Sequence, residues 1–215
     1  MDLLAEAGFR LMGVTEALAS HDIDPGCPIV AITIDDGYDN LPDAAAVVLG
    51  HGGGYTAYVV TNFADRAERG FLDWDGIRIL HSAGVEIGSH TCTHRELDIS
   101  PLAVAWAELR ESRRQIESAL GGPVVSVSYP YGYWSHSMLR VVREAGYHHA
   151  CCVGRCSARC DNPLALPRLE PRASMSDGHF IHMIAHGEPG VGPRAKRVAT
   201  PLWRLARRGV QRAKR

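Results

Sequence analysis

Two adjacent carboxylates and two histidines are the residues of this sequence best suited to chemistry at a metal ion. Asp35 and Asp36 end a run of apolar, β-branched residues and precede a glycine. His90 and His94 are four residues apart in the segment SHTCTH, so we predict both imidazoles on one side of a helical turn. Two histidines and one carboxylate form a common catalytic ligand set with an open position for water. These four residues therefore predict a divalent metal site beside a second carboxylate.

The two aspartates are expected to have different roles. In an extended segment, neighbouring side chains point to opposite sides, so one carboxylate can bind a cation while the other does something else. Each half of the pattern also has a simpler interpretation. The aspartates could be a polar strand end that caps the next helix, and histidines at this spacing arise by chance on surfaces. Their occurrence at the ends of two different predicted strands favours a shared site.

A third candidate segment comprises residues 128–132, SYPYG. Pro130 and Gly132 predict a fixed, non-helical turn with exposed backbone N–H groups. Such groups can donate hydrogen bonds to a developing oxyanion. A plain surface turn is the alternative interpretation.

The elements that must position these residues alternate between strands and helices. Predicted strands cover 28–36, 55–61, 85–88, 124–129 and 147–153, with one more at 164–169, and predicted helices cover 43–51, 75–83, 100–120 and 135–145. Regular alternation of this kind predicts an α/β fold with a parallel sheet and helices outside it, as a barrel or an open sheet. Active sites of such folds lie at the carboxyl ends of the strands, where all three candidate segments fall.

The sequence resembles the polysaccharide deacetylases of the NodB-homology group, carbohydrate esterase family 4. The family motif T-F-D-D-G appears at residues 33–37 as TIDDG, H-[ST]-x-x-H at 90–94 as HTCTH, and the variant F-x-Y-P-Y-G at 127–132 as VSYPYG. The three motifs occur in the family's order, and the resemblance covers roughly residues 1–175. It implies a NodB-type distorted (β/α) barrel.

By this resemblance, Asp35 is the general base, and Asp36, His90 and His94 hold the metal. Zinc is the expected ion, and the ligand set also suits cobalt, nickel or iron. The resemblance further implies that the third motif contacts substrate and that the backbone N–H of Tyr131 stabilises the oxyanion. The substrate-binding residues are then Tyr129, Pro130, Tyr131, Gly132 and Arg168.

Two departures from the family pattern concern the partners of the catalytic aspartate. Many members place an arginine where this chain has Ser128, and Arg168 in the segment LPR is the expected substitute partner for Asp35. The family's histidine acid has no clear counterpart, and His179, His182 and His186 are equal candidates. Residues 1–18 resemble the helix that follows a missing Y-H segment, so we expect the barrel to be incomplete at its N-terminal strand. An open edge would favour a homo-oligomer.

Charge divides the 215-residue chain into a domain at 1–193 and a basic tail at 194–215. The tail contains nine Lys or Arg and no acidic residue, whereas the rest has 14 basic and 24 acidic residues, a net charge of −10. An amphipathic helix around 202–212 could contact an anionic membrane surface, and a solvated tail is the simpler alternative. The acidic domain argues against nucleic acid as a partner.

The N-terminus has no signal-peptide pattern and no run of 18 apolar residues occurs, so a cytoplasmic protein, in contact with a membrane if the tail binds one, is expected. Four of the six cysteines lie in CCVGRCSARC, whose spacing is unlike structural zinc sites. Cys151 and Cys152 there read as the end of an apolar strand.

The expected function is metal-dependent removal of N-acetyl groups from N-acetylhexosamine units of a polysaccharide or glycoconjugate. A catalytically impaired sugar-binding module is one alternative, although an intact Asp35 argues against it. Hydrolysis of another small-molecule amide or ester is the other alternative, and substrate profiling would separate it from the first hypothesis.

Overall fold

A computed structural model describes residues 1–187 apart from 25, 27 and 154–161. The basic tail and three of the cysteines, Cys27, Cys156 and Cys160, lie outside these residues. The strands are β1 Arg10–Met12, β2 Ile29–Ala31, β3 Thr33–Ile34, β4 Thr56–Val59, β5 Glu86–Ser89, β6 Ser126–Ser128, β7 His149–Val153 and β8 Leu166–Arg168. The helices are α1 Asp2–Glu6, α2 Val14–Ile23, α3 Leu41–Gly50, α4 Thr61–Asp65, α5 Trp74–Ser82, α6 Leu102–Leu120, α7 His136–Glu144 and α8 Asp177–His186. None of the described helices is long and apolar enough to cross a membrane.

The sheet is parallel throughout and curls into an incomplete barrel. Strands β3 to β8 pair in chain order, and β1 pairs with β2. Ile32 joins the two ladders, because its N–H donates to Met12 O while its carbonyl accepts from Thr56 N. Within the described residues no ladder connects β8 to β1, so the barrel stays open on that side. The predicted α/β, NodB-type distorted barrel is confirmed, with a short N-terminal strand.

The first 18 residues correct one expectation. They were predicted to form a single helix, but Gly8 has a left-handed φ of 78° after α1, and strand β1 precedes α2. The start of α2 is then anchored to the sheet, since Val14 N donates to Thr56 Oγ1 and Thr15 N to Glu86 Oε2. The short helix α4, which follows β4, was also not predicted from the sequence.

The core lies between the sheet and the outer helices. Strand β4 is buried along its whole length, as expected for a strand covered on both faces. Helix α6 packs against β5, α5 and α7, and ends at Gly121, whose φ of 73° permits the left-handed cap. Cys151 and Cys152 are buried in β7, which confirms their interpretation as small hydrophobic residues of a strand. The carboxyl ends of β3, β5, β6 and β8 consequently meet at one end of the barrel.

Candidate metal and catalytic site

Asp36, His90 and His94 come together at the carboxyl ends of β3 and β5. Asp36 Oδ1 lies 3.4 Å from His90 Nε2 and 3.3 Å from His94 Nε2, and the three potential ligand atoms all lie within 4.8 Å of one another. Ligand atoms placed about 2.0–2.1 Å from a tetrahedral zinc ion are separated by about 3.3 Å. The spacing of these donors and their chemistry therefore fit a small divalent metal ion.

The tautomer of His90 is set by the neighbouring strand. Its Nδ1–H donates to the carbonyl oxygen of Ser128 at 2.8 Å, which leaves Nε2 to face Asp36. Metal-binding histidines are commonly oriented by such an outer hydrogen bond. Burial and repulsion by His90 lower the pKa of His94, which favours the neutral, ligating form of its imidazole. Each of the two histidines can thus offer a ring nitrogen to a metal ion.

The helical turn predicted for His90 to His94 is wrong. The segment is an irregular loop in which Thr91 and His94 have left-handed φ values of 69° and 55°. The backbone carbonyls of Thr91 and Cys92 accept hydrogen bonds from the N–H groups of Thr61 and Asn62 at the start of α4. These contacts with a distant segment replace the internal hydrogen bonds of a helix. The two imidazoles still converge, with ring centroids 4.7 Å apart.

Backbone strain is concentrated in the three motif segments. Five non-glycine residues among those the structure describes have a positive φ, and four of them belong to the motifs: Asp36, Thr91, His94 and Tyr131. Such conformations cost about 1–3 kcal/mol each and cluster at functional sites. The two aspartates do face different partners as predicted, but the left-handed backbone of Asp36 separates them, rather than extended strand geometry.

Asp35 forms a bidentate ion pair with Arg168, the partner predicted from the LPR segment. Arg168 Nη1 donates to Asp35 Oδ1 at 2.7 Å and Nη2 donates to Oδ2 at 2.6 Å. Ser128 Oγ, which occupies the place of the family's usual arginine, also donates to Oδ2 at 3.1 Å. Burial alone would raise the pKa of Asp35, but Arg168, His90 and Ser128 together hold it below its ordinary value. Asp35 is therefore ionised near neutral pH.

The third motif forms the predicted turn, but its residues have different exposures. Tyr131 is 53% exposed, and its ring lies 4.7 Å from that of His94. Tyr129, Pro130 and Gly132 are buried, and the Tyr129 hydroxyl donates to Leu164 O. A Cβ on Gly132 would collide with the side chain of Val153. The three buried residues shape the turn, and Tyr131 alone of the four presents an exposed side chain. Substrate binding by this segment stays a prediction.

The candidate acid histidines lie together on α8, which packs against α1. His179, His182 and His186 are exposed. His186 Nδ1 donates to the carbonyl of His182, and the two rings stack with centroids 4.6 Å apart. These contacts are within the helix, and none of the three histidines is linked to the metal-ligand set by a hydrogen bond or ring contact in the described residues.

Two residues near the site were not identified from the sequence. Tyr38 is 45% exposed and stacks on Phe71 with ring centroids 5.0 Å apart, and the negative charge of the neighbouring Asp36 raises the pKa of its phenol. Glu108 of α6 contacts the loop between the two histidines. Tyr38 lies two residues after the aspartate pair. An aromatic residue so close to the motif is the sequence signal that could have identified it. Glu108 lies on the buried face of α6 with Ala105, Leu109 and Ser112, where a charged residue is unusual.

The family model for "Polysaccharide deacetylase" matches residues 22–150, well over half of the chain. The chain belongs to the polysaccharide deacetylase family. This membership is the one that the three motifs predicted.

Bacterial proteins match most of the chain in sequence or in fold. YxkH of Bacillus subtilis (strain 168), assigned as a candidate polysaccharide deacetylase, is 26% identical over 84% of this chain, which spans only 65% of the length of YxkH. The solved structure of the Streptococcus pyogenes deacetylase PplD in complex with acetate superposes with a TM-score of 0.78 at 17% identity, covering 87% of this chain and 84% of that one. A polysaccharide deacetylase from Bacillus cereus gives 0.72 at 22% identity, covering 86% and 59%.

Proposed function

We propose that this chain is a metal-dependent hydrolase that removes N-acetyl groups from N-acetylhexosamine units of a polysaccharide or glycoconjugate. The observation that carries the proposal is that two adjacent carboxylates have different partners. Asp36 faces the Nε2 atoms of His90 and His94, whereas Asp35, 3.9 Å from His90 Nε2, is paired with Arg168. A ligand and a base are thus available side by side. A sugar-binding module would need no ionised base next to its metal ligands, so this arrangement favours the enzyme.

Asp36, His90 and His94 would hold the ion. A divalent metal bound there supplies Lewis-acid polarisation of the acetyl carbonyl and lowers the pKa of water toward neutrality. Zinc is the ion we expect, and cobalt, nickel or iron would suit the same donors. The remaining chemistry belongs to the residues of the chain.

Asp35 accepts a proton from the attacking water. Its two oxygens receive hydrogen bonds from Arg168 and Ser128, which fix the carboxylate and keep it ionised. The proton has to reach the leaving amine nitrogen, and Asp35 is the titratable group that we assign to this second transfer. Within the described residues, His179, His182 and His186 have no hydrogen bond or ring contact with the metal-ligand set. The backbone N–H of Tyr131, presented by its left-handed turn, donates to the oxyanion.

Arg168 should control the acid side of the pH–rate profile. In Arg168→Met the guanidinium no longer opposes the effect of burial on Asp35, so the pKa of Asp35 rises. The base is then protonated over a wider range, and the acid limb of kcat/KM moves to higher pH. The profile of Arg172→Met, at an exposed arginine, should match that of the parent. If the acid limb of Arg168→Met lay at the same pH as that of the parent, Asp35 would not be the group that titrates there.

Tyr38 should contribute binding of a sugar ring rather than chemistry. Its exposed ring rests on Phe71 beside the metal ligands, and sugar faces stack on such rigid aromatic surfaces. Tyr38→Ala should raise KM for an oligosaccharide about 2- to 10-fold, equivalent to ~0.5–1.5 kcal/mol, with kcat little changed. Tyr38→Phe keeps the ring and should retain the parent KM, as should Trp106→Ala at an exposed aromatic residue of α6. Equal KM values for Tyr38→Ala and the parent would show that the Tyr38 ring does not bind substrate.

Substrate profiling tests the proposed function itself. Acetate release is measured from chitooligosaccharides and N-acetylglucosamine conjugates, with N-acetylated amino acids and acyl esters of simple alcohols as comparison compounds. The proposal predicts a higher kcat/KM for the N-acetylhexosamine compounds. Faster turnover of the comparison compounds would favour the hydrolase of another small molecule.

A further inference from the structure

We propose that Glu108 is a positioning residue that sets metal affinity by holding the loop between the two histidine ligands; this inference rests on the metal site of the proposed function. Glu108 is only 9% exposed, and it lies in the middle of α6, behind the loop. Its carboxylate contacts neither histidine, so its effect on the site must pass through the loop backbone.

The carboxylate of Glu108 accepts hydrogen bonds from the two central residues of the loop. Cys92 N and Thr93 N donate to Oε2 at 3.0 and 2.9 Å, and Thr93 Oγ1 donates to Oε1 at 2.7 Å. The thiol of Cys92 turns toward α6 as well, 3.5 Å from the Glu108 carbonyl. A buried backbone N–H without an acceptor is costly, so these contacts define where the loop can lie.

The other loop amides are satisfied by side chains close to the same helix. Thr91 N donates to Ser89 Oγ, which hydrogen-bonds Ser112 Oγ one turn further along α6 from Glu108. His94 N donates to Thr91 Oγ1. All four N–H groups from Thr91 to His94 therefore have side-chain acceptors. The hydrogen bonds to these acceptors fix the loop backbone, and they thereby stabilise the left-handed conformations of Thr91 and His94.

Holding the loop matters because its two ends carry the metal ligands. His90 is fixed by β5 and by Ser128 O, whereas His94 lies at the far end of the irregular segment and is held in part through Thr91. A released loop would let His94 Nε2 leave the position 3.3 Å from Asp36 Oδ1. Outer partners of metal ligands typically contribute about 10- to 100-fold to metal affinity.

Length and charge of the side chain can be varied separately to test the inference. Glu108→Gln keeps the length: its amide oxygen can accept both backbone N–H groups, and its amino group can donate to Thr93 Oγ1. Glu108→Asp keeps the charge, but it is shorter by one methylene and cannot reach the loop in the same geometry. If Glu108 acts by position, Gln should preserve metal affinity better than Asp; if it acts by charge, the order reverses.

The experiment measures metal binding to chelator-stripped full-length protein, with Zn²⁺ titrated against a chromophoric competitor and Co²⁺ followed by its visible spectrum. Melting temperatures of the metal-free variants monitor folding. We expect Kd to rise about 10- to 100-fold in Glu108→Ala, with a changed Co²⁺ spectrum, and to a lesser extent in Glu108→Gln. Glu111→Ala, at a half-exposed acid of the same helix paired with Arg114, should bind as the parent does.

Parent-like Kd and spectrum in folded Glu108→Ala, or a better Kd in Glu108→Asp than in Glu108→Gln, would overturn the positioning role and leave the metal site standing. A parent protein that binds neither ion would instead overturn the proposed function together with this inference. If Glu108→Ala does not fold, Thr93→Val is measured instead. It removes the hydrogen bond of Thr93 Oγ1 to Glu108 Oε1, together with an exposed 3.3 Å contact from Arg95 Nε, and keeps both backbone donors. A measurable loss of affinity supports the inference and an unchanged Kd contradicts it.

Discussion

Asp35→Asn should retain the bound metal and lose deacetylation by a factor of at least ~10², the lower range for a removed general base. The amide cannot take a proton from water, whereas the ligand atoms of Asp36, His90 and His94 are untouched by the change. The residual activity should also lose the acid limb of the pH–rate profile, since the group that titrates there is gone. Metal content and kcat/KM across pH are the two measurements required.

The control for Asp35→Asn concerns the guanidinium left behind. Arg168 is 17% exposed and loses an anionic partner, so some loss of stability accompanies the substitution. Activity must therefore be measured well below the melting temperature of the variant. A folded, metal-loaded Asp35→Asn enzyme with parent-like kcat/KM would exclude Asp35 as the base.

His94→Ala should lose metal and activity together. Only Asp36 and His90 would remain as protein ligands, one fewer than catalytic zinc sites generally use. The loss in metal affinity should exceed the about 10- to 100-fold typical of an outer-shell partner. Metal-free protein should keep its fold, because the side chain of His94 lies at the mouth of the site and contacts the exposed ring of Tyr131.

His81→Ala is the matched control for His94→Ala, since His81 is an exposed histidine at the end of α5. It should bind metal and release acetate as the parent does. Activity retained in His94→Ala at the metal content of the parent would show that His94 is not a ligand, and the ligand set would have to be reassigned.

The sequence was sufficient to predict the fold class and which strand ends carry the site. Alternating apolar runs and glycine stops are local signals, and parallel strands bring their carboxyl ends together wherever the pattern holds. Arg168 was likewise predicted as the partner of Asp35, although 133 residues separate them. Strand β1 was missed because three residues between two short helices leave too little pattern to read.

Local conformation at the site was beyond sequence patterns because long-range contacts decide it. A spacing of four between His90 and His94 favours a helical turn, yet Glu108 and the start of α4 supply other partners for the loop backbone. Asp36 and Tyr131 adopt left-handed conformations that are uncommon for residues other than glycine. The burial of Tyr129, whose hydroxyl donates to Leu164 O in the core, also depends on a long-range contact.

Acetate release by the parent protein, before and after removal of metal, tests the central claim most directly. The protein is stripped with a chelator, assayed on N-acetylglucosamine oligomers, and assayed again after Zn²⁺ or Co²⁺ is restored. We predict that the stripped protein releases almost no acetate and that one of the two ions restores release. Release that survives complete removal of metal, confirmed by elemental analysis, would contradict a mechanism built on Asp36, His90 and His94.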